Sequence, residues 1–423
     1  MPMRVQRLTE AAARRVLASR RAVSREAERV AARIVADVRR RGDGALFAWT
    51  RRLDRVALTP RTVWVSAVEL AAARQSVSRE FLAAVDHAAR NIHAVAREQR
   101  PQEWSIEVEP GVRAGQRVRG IDSVGCYLPG GRFSLVSTLL MTAIPAQVAG
   151  VRDIVVASPQ PGPALLAAAA RLGVTRVARI GGAQAIAALA YGTRSIPRVA
   201  KICGPGNRFV TAAKKLVSHD CAIDMLAGPT EALVLAEGGD ARTAPRYIAA
   251  DLIAQAEHDP DAIAILVTTS AKLARAVAAE IERQLDELPQ TNLARRSLAA
   301  NGAILVARNR DAAVRFANAF APEHLSVLGA TSALAGAIQS AGSIFVGPYS
   351  AQTFGDYATG TNHVLPTGGV ARVRGGLSVA DFVKCISVQE VSRAGARRLA
   401  PVVAEFARAE GLAAHARSAE VRE

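Results

Sequence analysis

Between Ser24 and Gly42 the apolar residues Val30, Ile34 and Val38 recur at i, i+4 and i+8, a spacing that places them on one face of an α-helix. Ser24 is its candidate N-cap, Glu26 and Glu28 fall in the first turn where they complement the helix dipole, and Gly42 closes it. A second long helix is predicted from about Arg79, with Leu82, Val85, Ala89 and Ile92 on one face. His87 and His93, six positions apart on that helix, point to different faces and read as surface or packing residues, not ligands. Val63-Trp64-Val65 is a brief strand between the two helices. Alternation from Trp104 to Val108, followed by the turn signal Pro110-Gly111, predicts a hairpin leading toward Ile121.

Beyond Ile121 the pattern becomes regular. The β-rich runs 154–157, 176–180 and 199–203 alternate with Ala/Leu-rich segments long enough for helices. A second series, 232–235, 263–267, 303–306 and 343–346, is separated by helical segments such as 271–285 and 311–320. Strand-helix alternation implies right-handed crossovers and parallel sheets, so the fold class is α/β with two doubly wound halves. The boundary falls near Asp224 to Thr230, with a cleft between the halves.

Composition changes this picture little. A chain of 423 residues, half of them hydrophobic, can bury large cores and favours two or three domains. No window approaches eighteen uninterrupted apolar residues, and Met1 to Leu17 lacks the apolar block of a secretory signal, so no membrane partner is expected and the cytoplasm is the expected address. Four cysteines without a CxxC pair suggest reduced thiols. The formal charge of +17 raises nucleic-acid binding, but its basic pairs lie far apart with no run of five and no interleaved aromatics, so no nucleic-acid partner is expected.

The polar residues that break the pattern carry the chemistry. Gln255 and His258 stand three apart, on one face if the helix continues through them, and an amide oxygen with a neutral imidazole can supply half of a zinc site; the alternative is a helix C-terminus with a histidine set against the dipole. Glycine-rich turns follow three strands: Tyr127-Leu128-Pro129-Gly130-Gly131, Gly181-Gly182-Ala183-Gln184 and Gly204-Pro205-Gly206-Asn207. No GxGxxG stands between a strand and a helix, but these turns let backbone N–H groups approach a phosphate, with Tyr127, Gln184 and Asn207 placed to fix a ring or ribose; plain turn chemistry is the alternative. Ala321-Pro322-Glu323-His324-Leu325 puts two candidate proton-transfer groups side by side in a turn; a solvated turn pair is the alternative. Asp356, a candidate metal ligand, and His363 share a polar loop, and Glu410 and His415 end the last helix.

With these segments in hand, the chain resembles the histidinol dehydrogenase family over nearly its whole length. The resemblance rests on Gln-Ala-Glu-His-Asp-Pro at 255–260, Ala-Pro-Glu-His-Leu at 321–325, Gly-Asp-Tyr through Asn-His-Val-Leu-Pro-Thr at 355–367, Gly-Leu-Ser-Val at 376–379, and Glu-Gly-Leu with His415. It implies two incomplete Rossmann-like domains with helical terminal segments, divided as 1–22, then 23–126 together with 231–375, then 127–230 on the NAD side, then 376–423. It further implies one zinc per subunit held by Gln255, His258, Asp356 and His415, the last reaching over from the partner of an intertwined homodimer. The implied reaction is oxidation of L-histidinol through the aldehyde to L-histidine with two NAD. His324 would take the alcohol proton and Glu323 would activate water. Thr230, Gln255, His258, His324, Asp356, His363, Glu410 and His415 would contact the substrate, and Tyr127, Gln184 and Asn207 the NAD.

Three departures bear on the substrate. Gly228-Pro229-Thr230-Glu231 stands where Gly-Pro-Ser-Glu is usual, Gly375-Gly376-Leu377-Ser378 where Ser-Gly-Leu-Ser is usual, and Ala351-Gln352-Thr353-Phe354 replaces a Pro-Glu-Ser pattern. Threonine keeps the hydroxyl and adds a methyl to the substrate wall, which leaves open a paralogue acting on another primary alcohol, for example a sulfonated diol such as dihydroxypropanesulfonate.

Overall fold

A computed structural model describes the chain except for residues 1–2, 19, 21–23, 131–134, 238–243 and 330. Gly131 of the first glycine turn and Met1 therefore lie outside the described residues. In chain order the strands are β1 (Val5–Arg7), β2 (Trp104–Glu109), β3 (Val112–Gly120), β4 (Ser123–Tyr127), β5 (Asp153–Ala157), β6 (Val177–Ala178) and β7 (Lys201–Cys203). They continue as β8 (Ala222–Ile223), β9 (Glu231–Ala236), β10 (Ile263–Thr268), β11 (Ala303–Val306), β12 (His324–Leu328), β13 (Ser343–Val346) and β14 (Val383–Val391).

Two parallel sheets form the body. One runs β6-β5-β4-β7-β8 and the other β1-β11-β10-β9-β12-β13. Apart from the edge strand β1, each begins at its centre, builds outward on one side and then reverses, the doubly wound order of an incomplete Rossmann half. The reversals lie between β4 and β7 in one sheet and between β9 and β12 in the other. Strands β9 and β10 are buried at every position, as sheets covered by helices on both faces require. The expected α/β class with two doubly wound halves is what the chain adopts.

The helices distribute differently from the division 1–22, 23–126 with 231–375, 127–230 and 376–423. Helices Arg25–Arg41 and Arg79–Glu98 pack on opposite faces of the five-stranded sheet, so most of 23–126 joins the 127–230 unit instead of the 231–375 unit. Strand β4 lies in that sheet as well. Residues 5–7 are the edge strand of the six-stranded sheet, and the following helix Glu10–Ala18 leans on its core, so the N-terminal segment is built into that half. The stripe on Arg25–Arg41 is also shifted: Val30 is 40 % exposed, and the face toward the sheet is Ala27, Ala31, Ile34, Val35 and Val38. Alanines at two of those positions let the helix approach its neighbours closely, which a search for large apolar residues overlooks. Ser24 caps this helix and Gly42 ends it with φ 55°, both as expected.

The brief strand at Val63–Val65 reduces to one antiparallel bridge, Trp64 to Ala178. The hairpin is β2 and β3, extended by β14 into a separate antiparallel sheet, after which helices Arg393–Ala409 and Ala413–Glu420 fold on each other. No described helix is long and apolar enough to cross a membrane.

Candidate functional site

The two sheets meet with opposite ends. The five-stranded sheet presents the segments that follow β7 and β8, and the six-stranded sheet presents the residues that precede β9 and β12. Between them lies a cavity of about 210 Å3, lined by Gly204, Asp224, Thr230, Gln255, His258, Glu323, His324, Asp356 and His363 among others.

Glu323 and His324 sit at the head of β12, where the expected turn becomes the start of a central strand. Both are buried. Oε2 of Glu323 accepts two hydrogen bonds, from the Thr230 hydroxyl at 2.5 Å and the Glu231 backbone N–H at 2.8 Å. The Thr230 hydroxyl in turn accepts from Nε2 of Gln255. His324 lies between two carboxylates: Nδ1 is 3.6 Å from Glu323 Oε2 and 3.3 Å from the Glu231 carbonyl, and Nε2 is 3.4 Å from Asp356 Oδ1. The Nε2 contact is close enough for charge attraction but lacks the alignment of a hydrogen bond, so this buried atom has no hydrogen-bond partner among the described residues. The ring stacks on Phe345 at 5.9 Å. Burial alone lowers the His324 pKa, but Glu323 and Asp356 outweigh it and hold the imidazole up at about 10.

Asp356 belongs to the short helix Gln352–Tyr357, which turns back from β13 toward the cavity. Burial raises its pKa, and the neighbouring His324, His363 and His258 more than reverse that, leaving it below the usual carboxylate value. His363 donates through Nδ1 to the Asp356 carbonyl at 2.8 Å, and its Nε2 lies 3.1 Å from the Thr138 hydroxyl. Since a carbonyl only accepts, Nδ1 carries the proton; burial lowers its pKa and favours the neutral ring.

Gln255 is in the last turn of helix Pro245–Ala256, whereas His258 lies just past its end, so the shared helix face expected for the pair is not formed. The chain bends so that both still line the cavity. His258 Nδ1 lies 3.0 Å from the Ala254 carbonyl, which makes it the protonated nitrogen and leaves Nε2 as a lone-pair donor. Amide oxygen, imidazole nitrogen and carboxylate oxygen suit zinc, and three such ligands from one chain leave a position open. Among the described residues no three His, Cys, Asp or Glu side chains converge to hold a metal by themselves. His415 and Glu410 are exposed on the C-terminal helical pair and are not among the cavity's lining residues.

Of the glycine turns, the one at 204–206 lines the cavity, whereas Tyr127 and Gln184 are not among the cavity's lining residues. Tyr127 is buried, with its hydroxyl accepting from the Gly182 N–H at 3.0 Å, and burial pushes its pKa up to about 12. Gln184 is buried and donates to Asp54 at 3.0 Å, and its buried Oε1 has no hydrogen-bond partner among the described residues. Asn207 caps helix Arg208–Val217 and lines an adjoining cleft of about 700 Å3. The last turn is held from below by a buried ion pair that the sequence reading missed: Asp224 accepts from the Gly204 N–H at 2.7 Å, and Lys214 binds both Asp224 and the Gly204 carbonyl. Glu231 and Arg20 were missed too. Glu231 stood in the quoted Gly-Pro-Thr-Glu motif, whereas nothing marked Arg20 among its neighbouring arginines.

Doubly wound halves facing each other across a carboxylate–imidazole pair define an α/β enzyme that moves protons in its interdomain cleft. The sequence profile of histidinol dehydrogenase matches residues 17–423. Curated histidinol dehydrogenases are similar: that of Geobacter sulfurreducens is 45 % identical over 413 residues, 96 % of each chain, and that of Deinococcus radiodurans 49 % identical over 403 residues, 93 % of this chain and 90 % of its own. The crystal structure of histidinol dehydrogenase from Elizabethkingia anophelis superposes with a TM-score of 0.94 at 36 % identity, covering 99 % of this chain and 98 % of that one. The chain belongs to the histidinol dehydrogenase family and is an oxidoreductase.

Proposed function

We infer that this protein oxidises L-histidinol through the aldehyde to L-histidine in histidine biosynthesis. The observation that carries the reading, within a chain of this family, is the Glu323–His324 pair set in one cavity with Thr230, Gln255, His258, Asp356 and His363. When bound, NAD used twice would accept hydride in each oxidation, and zinc on Gln255, His258, Asp356 and His415 would anchor the substrate's amine and imidazole nitrogens. Tyr127, Gln184 and Asn207 are the residues assigned to the NAD.

The chain's own residues divide the proton work. With Asp356 free, Glu323 and Asp356 hold His324 protonated; where Asp356 is engaged by zinc, that hold would weaken, and the neutral His324 ring would take the proton of the alcohol, with Glu323 stabilising the imidazolium formed. Glu323 takes a proton from the water that adds to the aldehyde carbon, using Oε1, since Oε2 is already engaged by Thr230 and Glu231. Per histidinol, one water is consumed, two hydrides leave and three protons are released. The methyl of Thr230 leaves its hydroxyl bonded to both Glu323 and Gln255, so this departure from serine is compatible with the same machinery.

The other alcohol substrate finds no support in the relatives. Among the described residues the one Lys or Arg lining the cavity, Lys214, is occupied by Asp224 and so offers a sulfonate no free charge. The completing subunit is a second copy of this chain. The sheet β2-β3-β14 leaves Trp104 51 % exposed, and Phe406 on the following helix is 69 % exposed, an apolar unit that carries Glu410 and His415. An apolar groove of about 870 Å3, including Phe81, Leu140 and Tyr357, opens next to His258. The cytoplasm is the proposed location. Incubation with limiting histidinol and excess NAD should yield two NADH and one histidine per histidinol. One NADH per substrate, or faster turnover of a sulfonated diol in a panel of primary alcohols, would overturn the reading.

A further inference from the structure

Arg20 reaches the catalytic region from the N-terminal segment. Its guanidinium meets Glu231 twice, Nε to Oε1 at 3.0 Å and Nη2 to Oε2 at 3.1 Å, and the two side chains are only 11 % and 2 % exposed. The same guanidinium lies over the ring of Phe320, 3.7 Å from its centre. Phe320 ends the helix that leads directly into Glu323, and Glu231 follows Thr230. The Gly368 N–H donates to Glu231 Oε1 at 3.1 Å and so joins a third segment to the pair.

A buried ion pair is a poor source of stability, because desolvation cancels much of the attraction. Burial pushes the Glu231 carboxyl up to about 7 despite the pull of Arg20, with Glu323 adding to the rise. The arrangement gives something that an apolar pair would not, a fixed direction for the 230–231 peptide. That peptide supplies the N–H on Glu323 Oε2, and the Thr230 side chain beside it supplies the hydroxyl.

We propose that Arg20 is a positioning residue for Glu323: by pairing with Glu231 and stacking on Phe320, it ties together the two segments whose hydrogen bonds aim Oε1 at the water of the aldehyde step. This rests on the assignment of Glu323 as the base for that water. The two half-reactions separate the possibilities when histidinal is the substrate, since its oxidation with NAD needs water and its reduction with NADH, the alcohol step in reverse, does not.

Arg20→Ala should slow histidinal oxidation by about 10- to 100-fold, the cost of a base misplaced by about an ångström, with little change in reduction. Arg20→Lys should recover part of the loss, because the ammonium still pairs with Glu231. Glu231→Gln keeps an acceptor for Gly368 and carries the same expectation should Arg20→Ala fail to fold. Glu323→Gln is the benchmark. If it slows both half-reactions alike, the base assignment fails, and the positioning role fails with it. If it is selective for oxidation while the Arg20 and Glu231 variants slow both directions equally, or neither, only the positioning role is overturned.

Discussion

Glu323 accepts two hydrogen bonds on one oxygen and none from described residues on the other, while the adjacent His324 touches Asp356 on its far side. Such a division gives each residue a distinct consequence on replacement. Glu323→Gln should spare oxidation to the aldehyde more than oxidation of the aldehyde, because only the second step consumes water, and His324→Asn should impair the alcohol step. Loss of one general acid or base typically costs about 100- to 10,000-fold in rate. Single-turnover NADH formation from histidinol and from histidinal checks this, and equal losses in all four measurements would reduce the pair to a structural role. Another carboxyl behaves differently. Asp251, on the helix that carries Gln255, has its pKa pushed up to about 7 by burial alone. Below about pH 4 it is neutral folded and unfolded; from there to about pH 7 only the unfolded chain ionises, so stability falls as pH rises. Asp251→Asn removes that penalty. Its melting temperature should exceed the parent's at pH 8, by on the order of a few kcal/mol of stability, and match it near pH 4. A gain of equal size at both pH values would exclude burial of the charge as its cause.

At the scale of elements, what was legible in the sequence followed local periodicity and punctuation. Ser24, Gly42, the hairpin at 104–120 and the two strand series all carry signals confined to a few neighbouring residues. What failed depended on partners far along the chain. The stripe on Arg25–Arg41 announced an amphipathic helix but not which sheet it would cover. The segment Ala321–Leu325 read as a polar turn because its neighbours in β9 and β13 are roughly 90 and 20 residues away, and they alone make His324 the head of a strand. The candidate residues that line the cavity were legible as quoted motifs, whereas Arg20 and the Lys214–Asp224 pair have meaning only through contacts across 211 and 10 positions. Asn207 combines both kinds of information. Its side chain accepts from the N–H groups of Phe209 and Val210, so Asn207→Ala should lower stability by about 1 kcal/mol, read from the urea midpoint. If the residue also contacts NAD, the KM for NAD rises in the same variant, and Asn207→Ser, which keeps a cap, should restore stability without restoring the KM. Unchanged KM in both would confine Asn207 to capping.

At the scale of the whole molecule, the proposed site draws on two regions that one chain holds apart. Gln255, His258 and Asp356 line the cavity, but His415 and Glu410 are exposed on the terminal helical pair, attached to a small sheet whose apolar residues face outward. A second copy placing that unit against the groove beside His258 would cover apolar surface on both and bring the missing donors to the cavity. Two inactive variants test the exchange. Chains with Glu410→Gln and His415→Ala keep an intact cavity, and chains with Glu323→Gln and His324→Asn keep an intact C-terminal unit. When equal amounts are dissociated and reassociated at random, half of the dimers are mixed, and one site in each mixed dimer combines wild-type parts, so activity should return to about one quarter of the parent value. Zinc should follow the same geometry: the Glu410→Gln/His415→Ala homodimer should lose stoichiometric metal by elemental analysis, and the mixed dimer should regain it in one of its two sites. Absence of recovered activity in a sample shown by native mass spectrometry to contain mixed dimers would place His415 in the site of its own chain, which would require the C-terminal helical pair to swing back onto the cavity it leaves exposed.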